Sequence, residues 1–205
     1  MRKITCNCEQ TFSVELPEIV DLDKNPALID DIASGSFLSC VCPTCGTVLH
    51  TDLMTRVDWP SRKVSITLIP EIDRLAYVSG NLKEGTGTSV VIGYAELADR
   101  IATIRAGLDP TACETIKYHL ALKAQEAASG SKTVIYFERV TDSFDIVFHI
   151  HGLKKDEVAV MTVPRSVYDS VLSDVRANPS DDTYAALLNG DYLSYQNILI
   201  EERKA

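Results

Sequence analysis

Three features of this 205-residue sequence predict an α+β fold. Close cysteine pairs near the N terminus are surrounded by short alternating stretches that are typical of hairpins. Two stretches with apolar residues at helical spacing follow, and then three alternating stretches separated by short turns. Together they predict an N-terminal zinc-ribbon-like unit with a small antiparallel sheet, a helical hairpin, and a three-stranded meander with C-terminal helices.

The N-terminal part is predicted to contain two hairpins joined by a helix. Residues 3–16 alternate loosely and carry two cysteines near their bend. A helix is expected over residues 25–35, and a second cysteine turn with an extended arm over residues 40–53. The end signals of the helix are Asn25 as N-cap, Pro26 at the first helical position and Gly35 at its end.

The middle of the chain predicts two strands and a helical hairpin. Alternation indicates strands over residues 63–70 and 89–94, and 3.6-residue periodicity indicates helices over 95–106 and 109–128. Cys113 falls on the apolar face of the second helix. We therefore interpret it as a buried core thiol rather than a ligand or nucleophile.

The C-terminal part predicts a meander followed by helices. Its strands are expected over residues 133–140, 144–151 and 157–163. Helices are expected from Pro164 to Val175 and over 181–188, while residues 192–202 fit a helix or a strand equally well.

Ser129-Gly130-Ser131 is the strongest linker signal in the chain. It predicts a metal-binding domain over residues 1–128 and a C-terminal α+β subdomain over residues 132–205, which could also be continuous with the first.

The cysteine pairs predict a metal centre. Cys42 and Cys45 have the two-residue spacing of a zinc knuckle, and thiolates about 2.3 Å from the ion would complete a tetrahedron. Cys6 and Cys8 are separated by only one residue, so a second ligand set, in which Cys40 replaces one of them, stays open. His50 is a spare donor that we interpret as a strand residue. The predicted cofactor is Zn²⁺, held by Cys6, Cys8, Cys42 and Cys45.

Four thiolates close the coordination shell of zinc, so the first functional hypothesis is a structural site in a scaffold or protein-interaction module without catalytic residues. The alternative is a dithiol oxidoreductase that uses Cys42 and Cys45. That chemistry needs a thiolate activated at a helix N-terminus, whereas the residues after Cys45 are β-branched and predict a strand.

A third hypothesis is a metal-dependent enzyme on the C-terminal meander. Strand alternation places Asp145, His149 and His151 on one face, where two imidazoles could bind a metal or move protons. Polar residues opposite a core face are also the ordinary pattern of a half-exposed strand, which is the interpretation we prefer.

Composition limits the partners. The chain has 29 acidic and 20 basic residues, a net charge of −9, which argues against nucleic-acid binding because that needs a basic surface. No stretch approaches the length of an apolar membrane span. We expect a cytoplasmic protein that keeps its six cysteines reduced and that binds an unidentified protein partner or itself.

Several segments together resemble the CpXC domain family of bacterial proteins, named for paired Cys-Pro-x-Cys motifs. They are Ile4-Thr5-Cys6, Asn25-Pro26-Ala27-Leu28, Ser34-Gly35-Ser36-Phe37, Cys42-Pro43-Thr44-Cys45-Gly46 and Gly107-Leu108-Asp109-Pro110. The second cysteine motif matches the pattern, whereas Cys6-Asn7-Cys8 is one residue short and lacks proline. The resemblance spans roughly the first 125 residues. It implies a metal site and no established activity.

Overall fold

The computed structural model describes residues 1–85, 87–127 and 133–202. It confirms an α+β fold in which helices alternate with small sheets. The chain divides into two compact units, Met1–Ala98 and Asp99–Ala205. Within the described ranges, no helix is both long and apolar enough to cross a bilayer.

The first unit begins with the two predicted hairpins and the helix between them. Strands β1 and β2 form the first hairpin, α1 follows, and β4 and β5 form the second hairpin; β3 lies just before α1. Their bounds are β1 (Arg2–Thr5), β2 (Thr11–Val14), β3 (Ile19–Asp21), α1 (Ala27–Ser34), β4 (Ser39–Val41) and β5 (Val48–His50). Both hairpin bends therefore carry a cysteine pair.

Helix α1 begins one residue later than predicted. Pro26 takes the N-cap position that the sequence suggested for Asn25, and the helix closes at Gly35, whose φ of 82° is left-handed as expected. The Tyr94 hydroxyl donates to the Ile32 carbonyl oxygen (3.1 Å) at the C-terminal end of α1. The same carbonyl oxygen also accepts the N–H of the C-cap residue Gly35 (3.3 Å), so the end of the helix is held by two donors.

The rest of the first unit is a mixed sheet with strand order β8-β7-β6-β3. The central pair is antiparallel, whereas the two outer pairs are parallel. The remaining bounds are β6 (Thr55–Trp59), β7 (Val64–Ile69), α2 (Arg74–Val78) and β8 (Ser89–Ile92). Ile66, Leu68 and Val91 are almost completely buried, so this sheet supplies much of the core of the unit.

The second unit contains the predicted helical hairpin, meander and C-terminal helices. Helix α3 begins in the first unit and ends in the second. The meander has strand order β11-β10-β9 and is antiparallel throughout. The bounds are α3 (Tyr94–Arg105), α4 (Pro110–Ala127), β9 (Val134–Val140), β10 (Ile146–Lys154), β11 (Glu157–Val163), α5 (Arg165–Ala177), α6 (Asp182–Ala186), β12 (Leu188–Asn189), β13 (Tyr192–Leu193) and α7 (Gln196–Glu202).

A charged triad is buried in the core of the second unit. The Lys117 ammonium donates to Asp99 and, over 2.8 Å, to Glu114. Backbone N–H groups of Phe137 and Tyr195 donate to the same two carboxylates. Burial raises the pKa of Asp99. Burial also disfavours the charged form of Lys117, but attraction to the two carboxylates outweighs this effect and raises the pKa of Lys117. Such a triad is stable only while every member keeps its partners.

The predicted linker at residues 129–131 lies outside the described residues. The domain bounds 1–128 and 132–205 therefore stay a prediction.

Candidate metal centre

The first cysteine pair lies in the bend between β1 and β2. The N–H of Cys6 donates to the Gln10 carbonyl oxygen (2.9 Å), and the N–H of Glu9 donates back to the Cys6 carbonyl oxygen (2.8 Å). Glu9, directly after Cys8, has a left-handed φ of 67°, which is uncommon outside glycine. The backbone therefore folds tightly round the pair.

The second pair lies in the bend between β4 and β5 and repeats this arrangement. The N–H of Cys42 donates to the Thr47 carbonyl oxygen (2.9 Å), and the N–H of Gly46 donates to the Cys42 carbonyl oxygen (3.0 Å). Gly46, directly after Cys45, has a φ of 73°. The two bends are thus equivalent after their second cysteine, and the first is one residue shorter between its cysteines.

The four sulfur atoms of these bends meet. Cys6 Sγ lies 3.6 Å from Cys45 Sγ, and Cys8 Sγ lies 3.7 Å from Cys42 Sγ. All four sulfur atoms lie within 4.8 Å of one another. A tetrahedral ion with metal–sulfur distances of about 2.3 Å requires sulfur–sulfur distances of about 3.8 Å. The donor set therefore fits a single metal ion.

The four thiols differ in exposure and in acidity. Cys6 and Cys42 are buried, whereas Cys8 and Cys45 reach the surface. Hydrogen bonds from the hydroxyl and N–H of Thr47 stabilise the Cys45 thiolate and lower the pKa of that thiol to about 6. The N–H of Cys8 favours the thiolate of Cys6, but burial and the neighbouring sulfurs outweigh it and raise that pKa to about 12.

Electrostatic repulsion limits how many of the four thiols can ionise without a metal. Thiolates in contact repel one another, so ionising one makes ionisation of the next less favourable. A bound cation removes that penalty, because it attracts all four sulfurs at once. The cluster is consequently suited to a metal ion and poorly suited to four free thiolates.

The other sequence candidates lie outside this group. Cys40 is buried in β4 opposite Leu49, and His50 is exposed at the end of β5. Neither contributes to the four-sulfur cluster. Cys113 is buried in the core of the second unit, as predicted, and burial raises its pKa to about 12.

The meander brings the rings of His149 and His151 together, with centroids 6.4 Å apart, but it does not assemble a metal-binding trio with Asp145. Asp145 precedes β10 and accepts a hydrogen bond from the Arg165 N–H (3.1 Å), which fixes the start of α5. His149 lies 3.4 Å from a Glu138 carboxylate oxygen, and the His151 ring contacts the edge of Tyr136. Among the described residues, the cysteine cluster is the one group of three or more such donors that could hold a metal ion.

Sequence reasoning missed two residues of this centre. Thr47 was assigned only to a strand arm, although a hydroxyl two residues after a cysteine can reach its sulfur. Glu9 gave no signal, because a left-handed conformation is not expected of glutamate.

The arrangement defines a class of protein in which four cysteines from two hairpin bends form a potential metal site. The family model described as "CpXC protein" matches residues 4–117, so the chain belongs to the CpXC family. A protein of Treponema pallidum (strain Nichols), described as "Uncharacterized protein", is 30% identical over 220 aligned residues, which cover 98% of this chain and 100% of the relative. No solved structure matches the chain.

Proposed function

We propose that this is a structural zinc protein in which Cys6, Cys8, Cys42 and Cys45 bind one Zn²⁺. The observation that carries the proposal is the meeting of four sulfurs at tetrahedral spacing. Thiolates favour zinc or iron among the common biological metals, and zinc adds no redox chemistry.

In this proposal the metal holds the fold together and performs no reaction. Four protein ligands leave no position for water or substrate, which is what separates structural from catalytic zinc. The ion joins the β1–β2 and β4–β5 hairpins, whose strands have only three or four residues each. Two-stranded hairpins of that size have little stability alone, so the metal would supply much of it.

If the metal is structural, the protein must act through a binding surface elsewhere on the molecule. We therefore propose a scaffold or interaction module that works in the cytoplasm and binds another protein or a second copy of itself. The acidic composition supports a protein partner over a nucleic acid.

Metal analysis of protein purified without added zinc tests the site. We expect about one zinc per chain by mass spectrometry, and a colourless protein, because iron bound by four thiolates absorbs visible light. Cys42→Ala should lose the metal, whereas Cys40→Ala, the same change at a buried cysteine outside the cluster, should retain it. Metal-free wild type, or metal loss in Cys40→Ala with an intact fold, would refute the ligand set.

A folding measurement covers the case in which the Cys42 variant does not fold. A chelator should unfold the first hairpins of the wild type, as seen by circular dichroism, and zinc should restore them. A wild-type spectrum that is unchanged after complete metal removal would contradict a structural role.

The dithiol oxidoreductase is the alternative function. Cys42 and Cys45 lie in a hairpin bend followed by β5, so no helix N-terminus stabilises a thiolate there. Instead, hydrogen bonds from Thr47 lower the pKa of Cys45. Turnover in an insulin-reduction assay would support this alternative against the structural site.

A further inference from the structure

Strand β11 forms one edge of the meander and exposes apolar side chains on both faces. In the described part of the chain, β10 pairs with one side of β11 and the order β11-β10-β9 leaves the other side at the sheet edge. Val158 and Val160 are 47% and 61% exposed, and Met161, which points to the opposite face, is 40% exposed. An edge of this kind offers backbone hydrogen bonds and apolar contacts to another strand.

The two edges of this sheet differ in their protection. Strand β9 carries Glu138 and Arg139, and its pairing with β10 is irregular between Val147 and Phe148. Charges and bulges are the usual devices against edge-to-edge pairing. Residues 158–163 of β11 contain no charge and no proline. Their pairing with β10 is regular over that stretch. This contrast indicates that β11 is the edge that another strand covers.

We infer that β11 pairs antiparallel with β11 of a second copy of this chain, around a two-fold axis near Met161. The two meanders would join into a six-stranded antiparallel sheet with an isologous interface. The inference deepens the proposed function, because it names a second copy of the chain as the partner of the scaffold. It rests on that function in one respect, namely that the protein acts through a binding surface and not through chemistry at the metal.

The charges at the ends of the strand select this register. An axis at Met161 brings Glu157 of one copy near Arg165 of the other, the first residue of α5, which follows β11 after Pro164. The two-fold axis creates this contact twice. An axis at Val160 would instead place Lys155 against Arg165, a repulsive pair. The Glu157 side chain is exposed and that of Arg165 is half-buried, and their present ionic partners are Lys154 (3.2 Å) and Asp169 (2.8 Å). The Arg165 guanidinium also lies over the Tyr168 ring. Such exposed ion pairs are weak and can be shared with a second partner.

The local charge also permits two copies to meet although the chain has a net charge of −9. The charged residues near the two ends of β11 almost balance, with three basic and four acidic. They are Lys154, Lys155, Asp156, Glu157, Asp145, Arg165 and Asp169. Most of the excess negative charge therefore lies elsewhere, and it does not oppose contact at this edge.

The first test is the mass of the protein in solution, measured by size exclusion with light scattering at about 100 µM, well above micromolar dissociation constants. We expect a wild-type dimer. Val160→Lys places a charge at the centre of the interface and should give a monomer. Ile72→Lys, the same kind of change at a residue that is 89% exposed in the other unit, should remain a dimer. A monomeric wild type, or a dimeric Val160→Lys, would overturn the inference.

Charge exchange tests the register. Glu157→Arg and Arg165→Glu should each weaken the dimer at least tenfold, and the double variant should recover most of the loss. Failure of the double variant to recover would exclude the axis at Met161. Zinc content and circular dichroism measured on the same samples separate the two proposals, because a zinc-loaded monomer refutes only the dimer and a metal-free dimer refutes only the structural site.

Discussion

The equivalence of the two cysteine bends predicts opposite effects for two substitutions. Glu9 and Gly46 each follow the second cysteine of their bend, with φ values of 67° and 73°. Glu9→Gly should stabilise the protein, because glycine adopts this backbone conformation without strain. Gly46→Ala should destabilise it for the same reason.

The magnitudes follow from two terms. A left-handed residue other than glycine costs about 1–2 kcal/mol, while glycine loses about 0.4–1 kcal/mol through its more flexible unfolded state. A Cβ added to Gly46 would have no heavy atom within 4 Å, apart from its chain neighbours, so no packing contribution enters. Each substitution should therefore change the free energy of unfolding by about 1 kcal/mol or somewhat less, equivalent to about 2–4 °C in melting temperature for a chain of this size.

Thermal unfolding of the zinc-loaded variants measures this difference. Glu9→Ala removes the same side chain but keeps the strain, so its melting temperature should stay near that of the wild type. Gly46→Asn should lose less than Gly46→Ala, since asparagine tolerates the left-handed region. If Glu9→Gly and Gly46→Ala shift the melting temperature in the same direction, the two bends are not equivalent and the reasoning fails.

Three further predictions concern polar side chains that support a ligand sulfur or a carboxylate. Thr47→Val should weaken zinc affinity about 10- to 100-fold in chelator competition, because it removes a hydroxyl that supports a ligand sulfur, whereas Thr47→Ser should bind as the wild type does. Lys117→Met should cost about 3–5 kcal/mol in urea unfolding. The cost should increase as pH rises above about 4, because the carboxylates then ionise freely in the unfolded chain, whereas in the folded variant they are buried without a cation. Exposed Lys123→Met should be neutral. Arg56 lowers the pKa of Asp58, so that pair stabilises the fold above the unfolded pKa of about 3.9 and is lost as pH falls through the folded pKa. Arg56→Gln should therefore cost at most about 1 kcal/mol at pH 7 and less near pH 2, and an equal loss at both values would contradict the assignment.

Most long elements could be predicted from the sequence because their periodicity is strong. The helical hairpin, the meander and the helix after Pro164 all appear where apolar spacing placed them. Strand β6 was missed although Thr55, Val57 and Trp59 alternate with polar residues, a signal that was present. Strand β3 has only three residues and pairs in parallel with a distant strand, so local periodicity carries no information about it.

The buried triad lay beyond sequence reasoning for a different reason. Charged residues in a helix are usually exposed, so the sequence gives no sign that Asp99, Glu114 and Lys117 are buried. Their burial depends on N–H groups of Phe137 and Tyr195, which come from parts of the chain 38 and 81 residues away from the carboxylates they bind. Only tertiary structure can bring such donors together.

The irregular first bend shows why spacing between cysteines is an incomplete criterion for a metal site. The sequence left Cys40 as an alternative ligand because Cys6-Asn7-Cys8 is one residue short. In the structure, the residues that follow Cys8 repeat those that follow Cys45: a left-handed residue comes next, and the N–H of the residue after it, Gln10 or Thr47, favours the thiolate. The orientation of the second sulfur is therefore set after the cysteine pair rather than within it. A one-residue deletion inside the pair shortens the turn from five residues to four, and the sulfurs still converge.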